Sequence, residues 1–226
     1  ATDSGDNMYT TNRQTFSGKK ISNFDNDTKS DISVFRPSNG SWYFLNSSNS
    51  NFTGIQFGTN GDKPLQGDYD GDSKTDIAVF RPSTGSWYLL RSSAGFTAIQ
   101  FGTNGDIPVS GDFDGDGKAD ITVYRPSNGN WYRLNSSNGQ FFGIQFGTNE
   151  DKIAQGDFDA DGKTDISVFR PSNGSWYRLN SSNGQFVAEQ FGASEDKPVQ
   201  GDYDGDGKTD IAVFRPSTGS WYLLRS

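Results

Sequence analysis

The chain repeats itself five times at a nearly constant interval of about 45 residues. One tryptophan marks each copy, and successive tryptophans lie 45, 44, 45 and 45 residues apart: Trp42, Trp87, Trp131, Trp176 and Trp221. Residues 63–92 and 197–226 differ only at Leu65/Val199 and Ser73/Gly207. Self-similarity at such a period indicates copies of one supersecondary unit that bury their apolar faces against each other. The chain is therefore expected to fold as an array.

Each unit reads as four short strands. In the second unit they are PLQGDY, DIAVFRP, SWYLLRS and FTAIQFG, with turns PSTG and SSAG between the later pairs. The strand segments contain many residues that favour β-structure, and the turns contain Pro, Ser and Gly. Apolar side chains alternate onto both faces of DIAVFRP, as Ile77 and Val79 against Ala78 and Phe80. This predicts a sheet covered on both faces by neighbouring sheets.

Four-stranded units of about 45 residues are typical of β-propeller blades. We predict an all-β, five-bladed β-propeller that forms a single domain over residues 1–226, with blades starting near residues 20, 64, 108, 153 and 198. The last unit lacks a fourth strand, and the chain has surplus residues at its start. We predict that the strand at 8–16 (Met8–Phe16) supplies this outer strand of blade five and closes the ring, with 1–7 as a flexible tail. The alternative, a linear solenoid, does not explain why the last unit lacks a strand while the start of the chain has residues to supply one.

A nine-residue acidic loop follows the first strand of every unit. The five copies are NFDNDTKSD, DYDGDSKTD, DFDGDGKAD, DFDADGKTD and DYDGDGKTD. Side-chain oxygens recur at loop positions 1, 3, 5 and 9, where clustered carboxylates would repel one another without a cation. Ca²⁺ takes six to eight oxygen ligands in flexible geometry. The loop is not an EF-hand, because position 12 of the second copy is the apolar Val79.

We predict up to five bound Ca²⁺ ions, held by the side chains at positions 1, 3, 5 and 9 and by the backbone carbonyl of the lysine at position 7. The predicted ligands are Asn23, Asp25, Asp27, Lys29 and Asp31 in the first loop, Asp68, Asp70, Asp72, Lys74 and Asp76 in the second, Asp112, Asp114, Asp116, Lys118 and Asp120 in the third, Asp157, Asp159, Asp161, Lys163 and Asp165 in the fourth, and Asp202, Asp204, Asp206, Lys208 and Asp210 in the fifth.

The five loops are not equivalent. Position 6 requires a sharp turn that glycine adopts most easily, and the last three loops have glycine there. Thr28 and Ser73 occupy this position in the first two loops, and Asn23 gives the first loop one negative charge fewer. We therefore predict that blade one binds calcium most weakly. The expected role of the metal is structural, and the alternative is a Ca²⁺ ion that bridges to a ligand.

The blade resembles the FG-GAP and VCBS repeats, which are calcium-binding propeller blades found in integrin α-subunits and bacterial surface proteins. The resemblance covers roughly residues 20–226. It depends on the GDxDGDGxxD element and on the FG pairs Phe57-Gly58, Phe101-Gly102, Phe146-Gly147 and Phe191-Gly192. The chain departs from the integrin-type blade in having FRPS or YRPS in place of Gly-Ala-Pro, and blade one lacks a clear FG pair. The resemblance implies a calcium-stabilised propeller used for recognition.

Two further residue types recur once per blade. An arginine ends each second strand (Arg36, Arg81, Arg125, Arg170 and Arg215), and an aspartate recurs in the turns between blades (Asp62, Asp106, Asp151 and Asp196). We favour a blade-to-blade Arg–carboxylate clamp, or stacking of the arginine on an aromatic ring, over a ring of guanidinium groups that grips an anion. For the repeated tryptophans we favour core filling over sugar-stacking platforms.

Composition limits the partners and the compartment. The net charge of −8 argues against nucleic acid or an anionic membrane surface as partner. No apolar run is long enough to span a bilayer, so membrane insertion is not expected. The chain opens at Ala1, which looks like a mature end left after signal-peptide removal. Because calcium is abundant outside cells, we predict an extracellular or cell-surface location.

The sequence favours recognition over catalysis. The chain contains no His and no Cys, which removes most nucleophile–base arrangements. Near-identical blades also argue against an enzyme, because a catalytic site needs different residues from different blades. Glu150, Glu189 and Glu195 break the symmetry slightly, and a glycosidase-like enzyme is a minor alternative.

Two non-catalytic functions stay open from the sequence. The first is a lectin-like or adhesive module that binds a glycan or a protein ligand through repeated grooves. The second is a structural subunit of an extracellular filament, in which residues 8–16 add as a strand to blade five of a neighbouring copy.

Overall fold

The structure, a computed structural model, describes residues 9–10, 22–27 and 29–226. It confirms the predicted all-β class: five antiparallel sheets are arranged as the blades of a five-bladed β-propeller. Within the described ranges the chain forms no helix. Accordingly, the described residues include no helix long and apolar enough to cross a membrane.

Each blade meanders from its inner to its outer strand, and the strands are numbered in chain order. Blade one contains β1 (Tyr9–Thr10), β2 (Ile32–Arg36), β3 (Ser41–Leu45) and β4 (Phe52–Gln56). Blade two contains β5 (Lys63–Gly67), β6 (Asp76–Arg81), β7 (Ser86–Arg91) and β8 (Gly95–Gln100). Blade three contains β9 (Ile107–Val109), β10 (Ile121–Arg125), β11 (Asn130–Leu134) and β12 (Phe141–Gln145). Blade four contains β13 (Lys152–Ile153), β14 (Ile166–Arg170), β15 (Ser175–Leu179) and β16 (Phe186–Gln190). Blade five contains β17 (Lys197–Pro198), β18 (Ile211–Arg215) and β19 (Ser220–Leu224).

The FG pair is a close-packing motif at the end of the fourth strand. In blade two the indole Nε1 of Trp87 donates a hydrogen bond to the carbonyl oxygen of Phe101, 3.0 Å away. Gly102 has φ +132°, and a Cβ there would lie 2.9 Å from the ring of Phe80. A Cβ on Gly85 would lie 2.2 Å from the carbonyl oxygen of Gly102. Glycine is therefore required at Gly85 and Gly102, where the turn and the end of the fourth strand pack closely against each other and against Phe80.

Every blade has two apolar faces, which alternate along the strands. The forward face carries the tryptophan of the third strand, and the back face carries the tyrosine that follows it. Between blades two and three, Phe80, Trp87 and Leu89 of the forward face pack against Ile121 and Val123 of the back face. Equivalent clusters join blades one and two, three and four, and four and five. The four apolar junctions form the core of the molecule.

The fifth junction, between blades five and one, is open. The tryptophans of blades one to four are at most 2 % exposed, which confirms core filling at those positions, whereas Trp221 is 55 % exposed. On the opposite face Ile32 is 67 % exposed, whereas its four counterparts in the other blades are at most 8 % exposed. The prediction that all five tryptophans fill a core is therefore wrong for Trp221.

The predicted position of the N-terminal strand needs correction. β1 pairs with β2, in the register Tyr9↔Phe35 and Thr10↔Val34, and so forms the inner strand of blade one. Blade five has only three strands within the described part of the chain. In blade two, the inner edge of β6 is hydrogen-bonded to β5, with Lys63 opposite Phe80. The physical reason for the pairing of β1 is that the inner edge of β2 needs an equivalent partner, and β1 binds it in the same register. Residues 1–8 and 11–16 of the predicted tail and closing strand lie outside the described residues.

The recurring arginines form clamps, as the sequence predicted, but the clamp lies within a blade. Arg81 Nε and Nη2 donate to the two carboxylate oxygens of Asp62, at 2.8 and 2.9 Å, which joins the end of β6 to the start of β5. The same carboxylate accepts the backbone N–H of Thr59, and the guanidinium lies 4.5 Å from the ring centroid of Tyr88. Blades three, four and five repeat the clamp. Arg81 and its three counterparts therefore fix the turns that lead into blades two to five.

Candidate metal loops and an inter-blade groove

Each acidic loop connects the first two strands of its blade and is held by its last aspartate. In blade three, Asp120 Oδ2 accepts the backbone N–H of Phe113 at 2.8 Å, which closes the loop. Asp120 Oδ1 accepts the backbone N–H of Ser136 at 2.7 Å, from the turn between β11 and β12. The side chain is fully buried. The position-9 aspartate is thus an internal brace in addition to a predicted metal ligand.

A pair of serines in the third turn of the blade reaches back to the acidic loop. In blade two, Ser92 Oγ donates to Asp72 at 2.6 Å and Ser93 Oγ donates to Asp70 at 2.7 Å. The same arrangement recurs in blades one, three and four. Sequence reasoning missed these serines, although the Ser-Ser pair that follows the third strand in units one to four was a visible signal.

The structure brings together part of each predicted ligand set. Positions 1, 3 and 9 converge in blades two, three and four, with one ligand atom of each residue within 4.8 Å of the others; in blade five positions 1, 3 and 5 do so. These groups are Asp68, Asp70 and Asp76; Asp112, Asp114 and Asp120; Asp157, Asp159 and Asp165; and Asp202, Asp204 and Asp206. The ligand assignments, including the lysine carbonyls, stay predictions.

Among the described loop residues, two buried oxygens lack a hydrogen-bond donor, and a cation would satisfy them. They are Oδ1 of Asn23 in blade one and Oδ1 of Asp159 in blade four. The donor set is entirely oxygen, which suits a hard cation such as Ca²⁺ better than a soft transition metal. The residues therefore fit a calcium ion, which would be held by the carboxylates of each loop and would neutralise their charge.

Burial makes the charged form of the position-9 carboxyls in blades two, three and four costly. Desolvation raises the pKa of Asp76 to about 6, although the hydrogen bonds from Ser92 and Tyr69 oppose it. Desolvation likewise raises the pKa of Asp165 to about 6. The net effect is opposite for Asp70, at position 3 of the second loop. Burial raises the pKa of its carboxyl, but hydrogen bonds from Ser93 and Ala94 outweigh burial and lower the pKa overall. A divalent cation would favour the ionised form of every carboxyl it contacts.

The loops are also bonded to one another across the blade junctions. The backbone N–H at position 8 of one loop donates to the carbonyl oxygen at position 1 of the preceding loop, as Ala119 to Asp68 at 2.6 Å and Thr164 to Asp112 at 2.6 Å. A Cβ on Gly67, just before the second loop, would lie 2.9 Å from the Cβ of Ala119. The glycine that precedes the second, third and fourth loops therefore permits this contact, and the loops form a continuous belt.

In loops two to five, two positions adopt the left-handed backbone conformation. Position 6 does so in Ser73 (φ +69°) and in the glycines of the later loops, in line with the sequence analysis. Position 4 does so as well, and there blade four has Ala160 (φ +61°). The sequence analysis missed this second strained position. Thr28, at position 6 of the first loop, lies outside the described residues, and the ranking of blade one as the weakest site stays a prediction.

We expect the substitution Ala160→Gly to stabilise the protein by about 1 kcal/mol, because it removes a Cβ from a left-handed position. The reverse change, Gly205→Ala at φ +84°, should cost about the same, since no atom lies within 4 Å of the added Cβ and only backbone strain acts. Urea unfolding in the presence of chelator measures both changes without a metal contribution. Ala94→Gly is the control, because Ala94 is not left-handed, and it should not stabilise. A loss of stability in Ala160→Gly would contradict the strain argument.

A groove opens between the outer strands of blade two and blade three. Its volume is about 260 Å³. The apolar floor is formed by Tyr69, Leu89, Ile99, Ile121 and Leu134, and the polar rim by Arg91, Thr97, Asn135 and Ser136. An apolar floor with a few polar groups at the rim is the usual composition of a small-ligand site.

Larger side chains fill the equivalent space at the other closed junctions. Between blades three and four, Arg133 replaces Leu89, and its guanidinium lies 4.8 Å from the ring centroid of Phe142, which replaces Thr97. Between blades four and five, Arg178 reaches over the ring of Phe158. Between blades one and two, the ring of Phe44 packs at a tilt against that of Phe24, with ring centroids 4.2 Å apart. The groove therefore depends on the small Leu89–Thr97 pair.

The three glutamates make separate local contacts. Glu150 accepts a hydrogen bond from Ser172 Oγ, and Glu195 accepts one from Ser217 Oγ. Glu189 lies 3.7 Å from Arg178 on a neighbouring strand of the same blade. None of the three lines the groove between blades two and three.

Comparison with protein families identifies one match. The family model described as FG-GAP-like repeat matches residues 68–123 and 157–213, which together are half of the chain. No protein among the curated sequences matches this chain.

Comparison with solved structures finds a similar fold in proteins of different activities. A streptogramin B lyase aligns over 96 % of this chain and 72 % of its own, with 14 % identity and a TM-score of 0.59. A catalytically inactive histidine-to-alanine variant of virginiamycin B lyase from Staphylococcus aureus, with quinupristin, aligns over 92 % and 70 %, with 10 % identity and a TM-score of 0.54. An Agrocybe aegerita lectin that recognises non-reducing terminal N-acetylglucosamine aligns over 86 % and 59 %, with 19 % identity and a TM-score of 0.59. At these identities the likeness concerns the fold alone.

Proposed function

Because the chain belongs to the FG-GAP-like repeat family, we propose that it is a calcium-stabilised recognition module that binds a terminal sugar residue in the groove between blades two and three. The observation that carries this proposal is the groove itself. Its volume of about 260 Å³ is close to the lower end of small-ligand sites and suits one pyranose ring. Its apolar floor can contact the C–H face of a sugar, while rim groups such as Asn135 can bond hydroxyls.

Calcium has an indirect role in this proposal. Ser136 lines the rim of the groove, and its backbone N–H and Oγ donate to Asp120 and Asp116 of the acidic loop in blade three. A cation that fixes this loop would therefore fix the position of the rim. Recognition depends on calcium through the shape of the groove, and the metal need not touch the sugar.

The proposed function is non-catalytic. The chain contains no histidine, whereas the comparison lyase was inactivated by replacing one. Within the part of the chain that the structure describes, the acidic side chains outside the loops are occupied in clamps or local contacts, as Asp62 with Arg81 and Glu150 with Ser172. The lectin among the structural neighbours supports a sugar as the ligand class. Calcium-loaded loops would be maintained outside cells, so the proposed location is extracellular or at the cell surface.

A glycan array probed in calcium tests the proposal, followed by calorimetry with the best ligand and three variants. Thr97→Phe should abolish binding, because the larger side chain fills the groove. It should not reduce stability, because blade three already has a phenylalanine, Phe142, at the equivalent position. Thr53→Phe is the matched control, since Thr53 has the same place on β4 of blade one, away from the groove. Its affinity should be unchanged. Thr97→Phe binding as tightly as the parent protein, or an array without any hit, would refute the sugar site.

A further inference from the structure

Among the described residues that line the groove between blades two and three, Arg91 is the one that carries a charge. It ends β7 on the same face of blade two as Leu89, because alternate residues of a strand point to the same face. Three other blades have an asparagine at the equivalent position, namely Asn46, Asn135 and Asn180. The positive charge therefore distinguishes this groove from the other closed junctions.

A shorter turn holds Arg91 at the rim. The turn between β7 and β8 has one residue fewer than its counterparts, so the spacing from Trp87 to Trp131 is 44 residues instead of 45. Both strands consequently extend to six residues, and Arg91 pairs with Gly95. The guanidinium Nε donates to the carbonyl oxygen of Gly95 at 3.2 Å, and Nη2 donates to that of Ala94 at 3.3 Å. The charge is therefore fixed in place by its own turn.

The guanidinium of Arg91 has no acidic partner in the described part of the chain. Blades two to four are described in full, and each of their other arginines has a carboxylate oxygen at 2.8 to 3.9 Å: Arg81, Arg125, Arg133, Arg170 and Arg178. A guanidinium has five N–H donors, and the carbonyls of the turn accept from two of those of Arg91. The end of the group that carries Nη1 is therefore left to bind a ligand.

From these observations we infer that the groove binds an acidic sugar, a uronic acid residue, whose carboxylate accepts two hydrogen bonds from Arg91. The inference rests on the proposed function, since it assigns the charge of the sugar at that same site. Arginine and carboxylate form paired hydrogen bonds that are stronger than those between neutral groups. Replacing the C6 hydroxymethyl group of a hexose by a carboxylate adds charge with little added volume, which suits a groove of about 260 Å³.

Bound calcium would favour an acidic ligand at this rim. Ser92 and Ser93, which directly follow Arg91, donate to Asp72 and Asp70 of the acidic loop in blade two. The carboxylates of an empty loop would repel an anion in the neighbouring groove. A divalent cation neutralises them and leaves the charge of Arg91 to act on the ligand.

Calorimetry in calcium with matched pairs of methyl glycosides tests the inference. The probes are the methyl glycosides of glucose, galactose and mannose, and those of glucuronic, galacturonic and mannuronic acid. At least one uronide should bind about 10-fold more tightly than its neutral parent sugar, because a hydrogen bond to a charged group is the stronger kind. The preference should shrink in about 0.5 M salt, which screens the charges at an accessible rim.

Two variants of Arg91 and one control locate the origin of the preference. Arg91→Asn should remove the preference for the uronide, and it should fold, because three other blades have asparagine at this position. Arg91→Lys should keep only part of the preference, since an ammonium group lacks the planar fork of a guanidinium. Lys197→Asn is the matched control: it removes the same charge from an exposed side chain in blade five, and it should leave both affinities unchanged.

Three results would overturn this inference while the sugar site stands. The first is a neutral glycoside that binds as tightly as its uronide. The second is a preference that is equal in Arg91→Asn and the parent protein. The third is a preference that Lys197→Asn reduces as much as Arg91→Asn does, because net charge and not contact would then be the cause. Failure of all six glycosides and of the glycan array would refute the sugar site itself, and this inference with it.

Discussion

Chelation of calcium is expected to lower the melting temperature of this protein by 10 °C or more. Each filled site that exists only in the folded state stabilises it by about 2.7 kcal/mol when free calcium is 100-fold above Kd. For a domain of this size, that is a shift of roughly 5–11 °C for a single site. Four such sites together would contribute about 11 kcal/mol, which is comparable with the whole stability of a domain.

The large effect has a structural origin. The carboxylates of positions 1, 3 and 9 lie within 4.8 Å of one another in three blades, and the loops are bonded to each other across the junctions. Repulsion in one loop therefore strains the contact with the next. Circular dichroism melts before chelation, after chelation and after calcium is restored measure the effect. Magnesium is the control ion, because its demand for octahedral geometry fits an irregular loop poorly. An unchanged melting temperature after complete calcium removal would contradict the structural role.

The second large effect should come from Asp120→Ala, with a loss of about 2–6 kcal/mol even in chelator. The substitution leaves two backbone donors without an acceptor, the buried N–H of Phe113 and the partly buried N–H of Ser136, and each such donor costs about 1–3 kcal/mol. It also removes the carboxylate 3.9 Å from the buried Arg133. The loss should therefore be largely independent of calcium.

Asp114→Ala is the matched control in the same loop. Asp114 accepts hydrogen bonds from Ser137 and from the backbone N–H of Asp116, and these lie at a partly exposed site, so its removal should cost no more than about 1.5 kcal/mol in chelator. In calcium the same substitution should reduce affinity for one ion, measured by calorimetric titration. Urea unfolding with and without chelator separates the two roles. Equal losses for the two variants in chelator would contradict the assignment of Asp120 as the brace.

Local sequence patterns were sufficient for the blade and the loop. Alternation of apolar residues in DIAVFRP and the Pro and Gly of the turns set the strands, because both signals act over a few residues. The acidic residues of the loop were readable as a cation site for the same reason. The serine pair was not recognised, because its hydrogen bonds join segments about 20 residues apart, as Ser92 with Asp72.

The groove and the open junction could not be read in this way. The groove requires knowledge that Leu89 and Thr97 of blade two face Ile121 of blade three, which only the assembled junction gives. The larger residues at the same positions, such as Arg133, look unremarkable in the sequence. Their meaning appears when the guanidinium is seen to fill the equivalent space.

The sequence by itself determined the repeated unit, its four strands and the acidic loop, since each depends on neighbours within one blade. The tertiary structure decided how the ends are used. The inner edge of β2 and the outer edge of β19 offer the same kind of backbone hydrogen bonds, so strand propensity cannot choose between them. In the structure β1 pairs with β2, and the faces of Trp221 and Ile32 stay exposed. The reason is that edge pairing and face burial depend on which blades meet in space.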